Sequence, residues 1–392
     1  MKQIFIFLVL PIMASPLYSQ ITVDSVLLEI EKNNTTLVAT RKYTDADKIG
    51  NKTGIYLKNP EAEFNYLWGN PASTSNRTDF SITQSFDFPT AYSYKSQISN
   101  LQNQQSELEY QKQRKSILLQ ASIICTDLVY VNARISELSK RQANAVQLAN
   151  SYKSKFESGE TGILEFNKAQ ISLLNIAKDL EAAEIERNSL LTQLASLNGG
   201  IFVNFSNSIF PIQTIDPDFD LWYTQAEQGN PVLQWIRQEK DINLKNQQLY
   251  TALSLPRFYA GYMSENLVGQ QFRGFTVGIS IPMFENKNTV KYAKAKIIAV
   301  QGFETDARVQ FYNEMKALHA KVISLQKSVN DYRKNLLAFS NTELAQKALD
   351  MGELSLAEYL FELTVYYDSY DKLLEMERDL NKAVAGLNRY FL

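Results

Sequence analysis

The strongest constraint on the fold is a long stretch of the chain, from Thr90 to Ser158, that contains neither glycine nor proline. As an α-helix, such a stretch is about 100 Å long at 1.5 Å of rise per residue. From Ile117 onward, apolar side chains recur at alternating spacings of four and three residues, which is typical of a coiled-coil seam. The seam contains Ile117, Ala121, Ile124, Leu128, Val131, Ile135, Leu138, Gln142, Ala145, Ala149, Tyr152 and Phe156. The sequence therefore predicts one very long helix that packs lengthwise against other helices.

Three further seams with the same spacing predict more long helices. One contains Phe311, Met315, Leu318, Val322, Leu325, Val329, Tyr332, Leu336 and Phe339. Another runs from Phe166 to Leu197, and the last runs from Tyr359 to Phe391. Together the four seams predict two hairpins of long helices, over residues 90–198 and 286–391.

Four short segments instead alternate apolar and polar residues, over 61–69, 78–88, 257–267 and 272–282. This period of two predicts β-strands with one apolar face, and their length suits strands that cross a membrane at a tilt. The alternative is a soluble sheet or hairpin that packs this face on the helices. The aromatic residues predicted to face lipid are Phe64, Tyr66, Trp68, Phe80, Phe86, Phe258 and Tyr262.

The first residues of the chain predict export. Residues 1–19 combine Lys2, a short apolar run and the sequence Leu17-Tyr18-Ser19, which together are typical of a cleaved signal peptide. No later window approaches 18 consecutive apolar residues, so any membrane crossing is expected to use strands.

Composition argues against several classes of protein. The 40 basic and 42 acidic residues leave no basic excess for binding nucleic acid. With a single Cys and a single His, a Cys/His zinc site cannot be built. We interpret Cys125 as a small buried apolar residue and His319 as a helix-surface residue. The sequence shows no nucleophile–base pattern, no phosphate-binding loop and no metal motif, so neither catalytic residues nor a cofactor is predicted.

The chain is predicted to be a duplication, because unrelated landmarks recur at a nearly constant offset. These pairs are Phe80 with Phe275, Ile117 with Phe311, Gly159 with Gly352, and Asn34 with Asn230, which end short helices. We divide the chain into a first repeat over 20–200, a non-helical linker over 201–229 and a second repeat over 230–392. Four strands cannot close a barrel, so a membrane-spanning form requires several copies of the chain.

Several motifs carry a resemblance to a known family. The opening Ile21–Asn34 is similar to a short first helix that ends in Asn-Pro, and Asn230-Pro231 keeps this ending in the second half. The strand ends are Ser85-Phe86-Asp87-Phe88-Pro89 and Ser280-Ile281-Pro282-Met283-Phe284. The hairpin tips are Gly159-Glu160-Thr161-Gly162-Ile163-Leu164-Glu165-Phe166 and Gly352-Glu353-Leu354-Ser355-Leu356-Ala357-Glu358-Tyr359. In this order, the motifs resemble those of the TolC-type outer-membrane efflux proteins.

The resemblance implies a mainly α fold with a transmembrane β-barrel part. Two units of strand, strand and helical hairpin per chain would build a homotrimer with a 12-stranded barrel and an α-helical periplasmic tunnel. It also implies a passive exit duct in the outer membrane of a Gram-negative bacterium, held there by its barrel and the surrounding lipid. Its partners would be a periplasmic adaptor (membrane fusion) protein and an inner-membrane efflux pump. The first strand end most resembles the heavy-metal-type branch, which works with resistance–nodulation–division pumps.

Residues at the hairpin tips are the candidate functional residues. In a trimer, Glu358, Glu165 and Glu362 would each form a ring of three carboxylates, which would favour cations and set a gate. The alternative is that these carboxylates are solvated charges on an outer helix face. The expected adaptor contacts are Gly159, Glu160, Thr161, Gly162, Gly352, Glu353, Leu354 and Ser355, where Gly159 and Gly352 would supply the left-handed residue that ends each helix.

Two other functions stay open on the sequence. The main alternative is a secreted or periplasmic coiled-coil structural protein or adhesin without a pore, although such a rod does not need strands with an apolar, aromatic face. An exported hydrolase is the other alternative.

Overall fold

The computed structural model describes residues 22–71, 73–212 and 215–392, so the predicted signal peptide over residues 1–19 lies outside the described residues. Within these ranges the same order of elements occurs twice. The first half contains α1 (Val23–Asn33), α2 (Thr35–Gly50), β1 (Glu61–Leu67), β2 (Arg77–Phe86), α3 (Pro89–Glu157) and α4 (Ile163–Leu197). The second half contains α5 (Phe219–Gly229), α6 (Pro231–Leu253), β3 (Arg257–Leu267), β4 (Gln270–Ser280), α7 (Thr289–Ala338), α8 (Thr342–Asp350) and α9 (Leu356–Asn388), followed by a short 3-10 helix, Arg389–Phe391.

Asn34 and Asn230 occupy equivalent junctions between two consecutive helices. Asn34 Oδ1 accepts a hydrogen bond from the Leu37 amide at 2.9 Å, and Asn230 Oδ1 accepts one from the Val232 amide at 2.9 Å. Asparagine suits this N-cap position because its side chain satisfies a free amide of the first turn. The sequence predicts a short helix before each asparagine, and the structure adds a second helix, α2 or α6, directly after it.

The helix α3 is uninterrupted over 69 residues, as the stretch without glycine or proline predicts. It begins at Pro89, whose missing amide hydrogen breaks no bond at the first helical position. Most of the predicted seam is buried, namely Ile117, Ala121, Ile124, Leu128, Val131, Leu138, Ala145, Ala149 and Tyr152. A window of this helix is apolar enough to cross a membrane by length and composition alone, yet most of it is buried inside the structure. The window therefore forms part of the helical core.

The second hairpin departs from the predicted continuous seam. The helix α7 ends at Ala338, and a new helix, α8, begins at Thr342. Phe339, predicted as a seam residue, is 74% exposed. The prediction is wrong here because Ser340 and Asn341 interrupt the helix, and these residue types compete for backbone hydrogen bonds that a helix needs.

The region between the halves also corrects two predictions. The predicted non-helical linker over 201–229 contains the helix α5, which begins after Asp218 accepts hydrogen bonds from the amides of Asp220 and Leu221. His319 is buried instead of lying on the helix surface. Its Nε2 lies 2.8 Å from the carbonyl oxygen of Asp216, and its ring lies 5.5 Å from the ring of Phe219. The linker therefore covers the face of α7 on which His319 lies.

Each half has its own hydrophobic core around the short helices, and the two cores differ in composition. The first is mostly aliphatic and includes Val26, Ile30, Leu37, Leu128 and Leu194. The second is rich in aromatic side chains and includes Trp222, Tyr223, Phe311 and Tyr390. The ring centroids of Phe311 and Tyr390 lie 5.0 Å apart in an edge-to-face arrangement, which aromatic pairs prefer.

The four strands form one antiparallel sheet in the order β1-β2-β3-β4. The central pair joins the two halves, with Phe86 opposite Phe258 and Arg77 opposite Leu267. The strand β3 covers the predicted segment 257–267, whereas β1, β2 and β4 lie within two residues of their predicted bounds. The predicted 12-stranded barrel is not formed by this one chain, whose sheet is open at β1 and β4.

Candidate functional site

The sheet carries most of its apolar side chains on one face. In an antiparallel pair, residues that lie directly opposite each other share a face, so the strand register assigns every side chain. One row contains Ala62, Ile82, Tyr262 and Phe275, and the row two residues further along the strands contains Phe64, Phe80, Ser264 and Arg273. Phe86, Phe258 and Ile279 form another row of the same face.

The predicted lipid-facing aromatic residues follow this pattern. The same apolar face bears Phe64, Tyr66, Phe80, Phe86, Phe258 and Tyr262. Trp68 lies just beyond the end of β1, and its ring centroid is 5.3 Å from that of Tyr66. Phe275, which is not among the predicted lipid-facing residues, is 89% exposed on the same face. The described parts of the chain leave most of this face at least partly exposed, whereas a water-soluble sheet packs its apolar face on a core.

The opposite face of the sheet is mostly polar, although it also carries Leu67, Tyr259, Met263, Leu267 and Phe272. It carries Glu61 and Glu63 of β1 together with Asp79 and Glu265, which lie opposite each other on β2 and β3. Arg77 shares this face, and its Nε lies 2.8 Å from Asp79 Oδ1 and 3.2 Å from Glu265 Oε1. The sheet is therefore amphipathic, with one face suited to lipid and one suited to water.

Both hairpin tips end their first helix in the same way. Gly159 and Gly352 have φ values of +78° and +74°, as the prediction of a left-handed residue requires. The amide of Glu160 donates to the carbonyl of Lys155 at 2.8 Å, and that of Glu353 donates to Ala348 at 2.8 Å. These bonds define a Schellman motif at each tip, in which glycine adopts the left-handed conformation without steric cost.

The two tips lie side by side at one end of the molecule. A hydrophobic cluster contains Tyr152 and Ala169 of the first hairpin together with Ala345, Leu356 and Tyr359 of the second. The predicted adaptor contacts in both tips therefore belong to one surface. Except for the half-buried Thr161 and Leu354, the tip residues from Gly159 to Gly162 and from Gly352 to Ser355 are exposed.

The structure places the three predicted gate carboxylates differently. Glu358 is exposed and forms a capping box with Ser355, whose amide and hydroxyl both donate to Glu358 Oε2, at 2.8 Å and 2.7 Å. These hydrogen bonds hold the pKa of the Glu358 carboxyl below its ordinary value. Glu165 is half-buried on α4, and Glu362 is exposed on α9. In the single chain, Glu358 therefore has a local role in beginning α9.

Two buried tyrosines at the tips have raised pKa values, and one of them, Tyr152, lies near Glu165. Burial raises the pKa of the Tyr152 phenol, and the nearby charge of Glu165 raises it further. Burial also raises the pKa of Tyr359, to about 12. The tip interior is consequently an environment in which ionisation of tyrosine is disfavoured.

One buried ion pair joins the two hairpins above the tips, and the sequence analysis did not identify it. Arg141 of α3 donates to Asp371 of α9 through two nitrogens, at 2.9 Å and 2.7 Å. The Arg141 side chain is only 5% exposed, and its guanidinium carbon lies 4.3 Å from the ring centroid of Tyr367. The sequence contains one signal for this pair: Arg141 falls on the same side of α3 as the apolar seam. A buried arginine is almost always paired, so this position predicts an acidic partner.

Cys125 is fully buried in the first core, as predicted for a small apolar residue. Burial raises the pKa of its thiol to about 12, which leaves the reactive thiolate form scarce. Within residues 22–71, 73–212 and 215–392, no group of three or more His, Cys, Asp or Glu side chains is arranged to hold a metal ion.

No protein-family model matches the chain, and no curated protein sequence matches it. Solved structures do match over almost its whole length. The CmeC outer membrane channel of Campylobacter jejuni is 15% identical, covers 94% of this chain and 85% of its own, and gives a TM-score of 0.74. The outer membrane protein VceC of Vibrio cholerae is 11% identical, with coverage of 94% and 95% and a TM-score of 0.74.

A third match is the open state of the MtrE outer membrane channel of Neisseria gonorrhoeae. It is 12% identical, covers 94% of this chain and 88% of its own, and gives a TM-score of 0.61. At these identities the likeness concerns the backbone arrangement of strands and long helices. The chain therefore has the fold of the TolC-type outer-membrane channels, as the sequence resemblance predicted.

Proposed function

We propose that this protein is a passive outer-membrane exit duct of a tripartite efflux system in a Gram-negative bacterium. A periplasmic adaptor and an inner-membrane pump would deliver the substrate, and the duct would conduct it across the periplasm and outer membrane. In this role the protein is not an enzyme and requires no cofactor. The fold shared with solved outer membrane channels supports the proposal.

The observation that carries the proposal is the amphipathic sheet. Its apolar face exposes large side chains such as Phe64, Phe275 and Val277 over the length of four strands. In water this face would be costly, since burying apolar surface contributes about 25 cal/mol per Å². In a bilayer the same face is favourable, and the polar face with Glu61 and Glu63 can line an aqueous lumen.

The open edges of the sheet support a trimer. Backbone groups at a lipid-exposed edge cannot be satisfied by water, so a membrane sheet must close into a barrel. If β1 of each copy pairs with β4 of the next, three chains give 12 strands and leave no edge. The long helices α3 and α7, which follow the sheet in each half, would then form the periplasmic tunnel below the barrel.

We place the adaptor contact at the tips and the gate just inside them. The tip residues form one exposed surface at the end opposite the sheet, which is where a periplasmic partner can reach. Glu358, Glu165 and Glu362 from three copies would ring the narrow end and favour cations. Proximity of like charges would raise their pKa values, in opposition to the capping hydrogen bonds that lower the pKa of Glu358.

Purification in detergent and recording in planar bilayers test the duct. We expect a trimer that needs detergent to stay soluble and that conducts ions with a preference for cations. A water-soluble monomer without detergent would contradict the proposal and favour the coiled-coil structural protein or adhesin. Deletion of the gene should also raise the sensitivity of the bacterium to pump substrates.

Neutralising the carboxylates tests the gate. Glu358→Gln removes the charge but keeps a side chain that can complete the capping box, whereas Glu358→Ala removes both. We expect Glu358→Gln, combined with Glu165→Gln and Glu362→Gln, to reduce cation selectivity in reversal-potential measurements. Glu181→Gln, on the exposed face of α4, is the matched control. Selectivity that is unchanged in the triple variant would reject the gate.

Cross-linking in cells tests the adaptor contact. Glu353→Cys in a Cys125→Ala background places one reactive thiol at the tip without disturbing Ser355, which caps α9. A cysteine at Ser189, which lies on the exposed surface of α4 far from the tip, is the control. We expect a cross-link to the adaptor from the tip only, and its absence from both positions would count against the tip contact.

A further inference from the structure

The two hairpins differ at one point, where α7 is interrupted and α3 is not. The break lies between Ala338 and Thr342, and at the offset of the duplication it corresponds to residues near 145–148 of α3. That stretch of α3 is helical throughout. A break in only one of two duplicated helices calls for a specific physical cause.

The backbone conformation at Phe339 and Asn341 defines the break. Phe339 ends α7 with φ −109° and ψ 16°, and Asn341 precedes α8 with φ −115° and ψ 13°. The Asn341 side chain makes no capping hydrogen bond, so α8 begins without the stabilisation that asparagine usually provides there. Both residues depart from helical values by about 45–60° in φ and in ψ, so joining α7 and α8 into one helix requires rotations about several backbone bonds of the 339–341 segment.

A cavity of about 350 Å³ lies beside the break, between α7, α8 and α9. Its lining includes Tyr332, Leu336, Ala345, Glu362, Leu363 and Tyr366. The space is a cleft that is partly open to solvent, so the helices leave room beside the break for a further side chain. The cavity is where the α7 seam would place its next apolar side chain.

Phe339 is that side chain. It follows Leu336 by three residues in the heptad series that buries Val322 and Val329. In the structure Phe339 stands at the rim of the cavity and is 74% exposed. The sequence therefore specifies a buried position for Phe339 that the broken helix does not provide, and the empty space for its ring is adjacent.

We propose that the break at 339–341 is a two-state hinge, in which Phe339 enters the cavity when α7 and α8 join into one continuous helix. In the state described above, the helix is broken and the ring is exposed. In the second state, the ring completes the seam and α8 is aligned with α7. The burial of an aromatic ring favours the second state, and the Ser340-Asn341 pair favours the first.

Two contacts link the proposed hinge to the hairpin tips. The helix α8 carries Ala345 and Leu349, which pack in the tip cluster with Tyr152 of the first hairpin. Glu362 lines the cleft that Phe339 would enter, so entry of the ring would change the surroundings of this carboxylate. On the proposed function as a duct, the two states would differ in the width and charge of the periplasmic end.

Distance measurements between two spin labels test the hinge. Labels at Lys327→Cys on α7 and Lys347→Cys on α8, in a Cys125→Ala background, are both on exposed positions. A continuous helix would separate the two backbone positions by about 30 Å, at 1.5 Å per residue, and a bent one by less. Diluting labelled chains with unlabelled ones limits the signal to a single protomer of each assembly.

We expect two distances in the labelled parent. Phe339→Ala should reduce the longer-distance population about tenfold, because burial of the ring is worth at least that factor. Leu337→Ala removes an equally exposed apolar side chain two residues away and should leave both populations unchanged. Replacing both Ser340 and Asn341 with Ala should increase the longer distance, since alanine has the highest helix propensity.

A single distance in the parent that none of the variants moves would overturn the hinge, as would equal effects of Phe339→Ala and Leu337→Ala. If Phe339→Ala fails to fold, Phe339→Leu, which keeps a smaller apolar side chain, should give an intermediate population. The measurement does not depend on conduction. Conduction with only one distance would refute the hinge alone, whereas two distances in a protein that never conducts would refute the duct alone.

Discussion

The two halves of the molecule share their landmarks but differ in the continuity of their helices and in the composition of their cores. Both have an asparagine cap between their short helices, two strands and a glycine-ended hairpin tip. The first half has one continuous helix and an aliphatic core. The second half has an interrupted helix and a core with more aromatic side chains. Duplication therefore preserved the turning points of the chain and allowed the packing between them to diverge.

The two halves are also held together by contacts between their hairpins. The second hairpin packs on the first through the tip cluster and through the pair of Arg141 with Asp371. Four sets of substitutions, from the largest expected effect to the smallest, separate contacts between the halves from contacts within each half.

The largest loss is expected from the buried pair between the halves. Asp371→Ala would leave Arg141 buried without its main partner, at a cost of about 3–5 kcal/mol in the free energy of unfolding. Denaturant unfolding of the purified protein measures it. The double variant Arg141→Leu with Asp371→Leu should cost much less, because no unpaired charge remains. Equal losses in the single and double variants would show that the charge itself is not what matters.

A close backbone contact in the first half should give the next largest effect. A Cβ atom on Gly199 would lie 2.5 Å from the carbonyl oxygen of Asn33, and Gly199 has φ +69°. Gly199→Ala should cost about 2–4 kcal/mol, the sum of left-handed strain and overpacking.

Gly200→Ala is the matched control for this contact. Gly200 has φ +87° and no atom within 4 Å of an added Cβ, so only the strain of about 1–2 kcal/mol is expected. The same unfolding measurement separates the two variants. If both substitutions cost the same, the junction between α1 and α4 is looser than the structure indicates.

The two tips should respond alike to the same substitution. Gly159→Ala and Gly352→Ala each place an alanine at positive φ with open space around the added Cβ. Each should therefore cost about 1–2 kcal/mol through backbone strain alone. Denaturant unfolding of the two variants measures this cost. A lower free energy of unfolding in only one variant would show that the tips are not structurally equivalent.

The smallest effect concerns the contact of α2 with α3 and depends on pH. Glu107 accepts hydrogen bonds from Arg41, at 2.7 Å and 3.0 Å, and from Lys48 at 2.9 Å. The hydrogen bonds from Arg41 lower the pKa of Glu107 from 4.5 to about 2. Because its folded pKa is depressed, Glu107 contributes stability that is fully present above pH 4.5 and is lost as pH falls through about 2.

Glu107→Gln should remove that pH dependence at a cost of about 1 kcal/mol or less at neutral pH, since the pair is partly exposed. Unfolding measured between neutral and acidic pH checks it. Glu109→Gln, in an exposed pair with Lys112, is the control and should keep the parental profile. The same profile in the parent and in Glu107→Gln would show that the pairing contributes nothing to stability.

The spacing of apolar residues predicted most of the helices and strands, because this spacing depends on the local backbone geometry of each element. The seam from Ile117 to Tyr152 and the alternation over 257–267 correspond to α3 and β3. The glycines of the tips were identifiable because only glycine adopts their backbone conformation readily. The resemblance to a family then assigned these elements to one fold, which the solved channel structures confirm.

The missed features depend on contacts distant in sequence or on competing signals. His319 was placed on a surface because nothing near it in the sequence shows that residues 215–219 cover it. Phe339 fits the heptad, and the weaker Ser340-Asn341-Thr342-Glu343 sequence, typical of a helix start, was overlooked. The pairing of Arg141 with Asp371 spans 230 positions and could not be read from spacing.

The open edges of the sheet also have a consequence for the life of a newly made chain. An unpaired, apolar strand edge is a template for pairing with any other exposed strand, so an isolated copy is prone to aggregate. In the proposed trimer, closure into a ring ends the pairing, whereas an offset addition would continue it as a filament. If the trimer forms as proposed, we expect the cell to keep single copies bound to a chaperone until they reach the outer membrane, because the edges that would complete the barrel are also the ones that would cause misassembly.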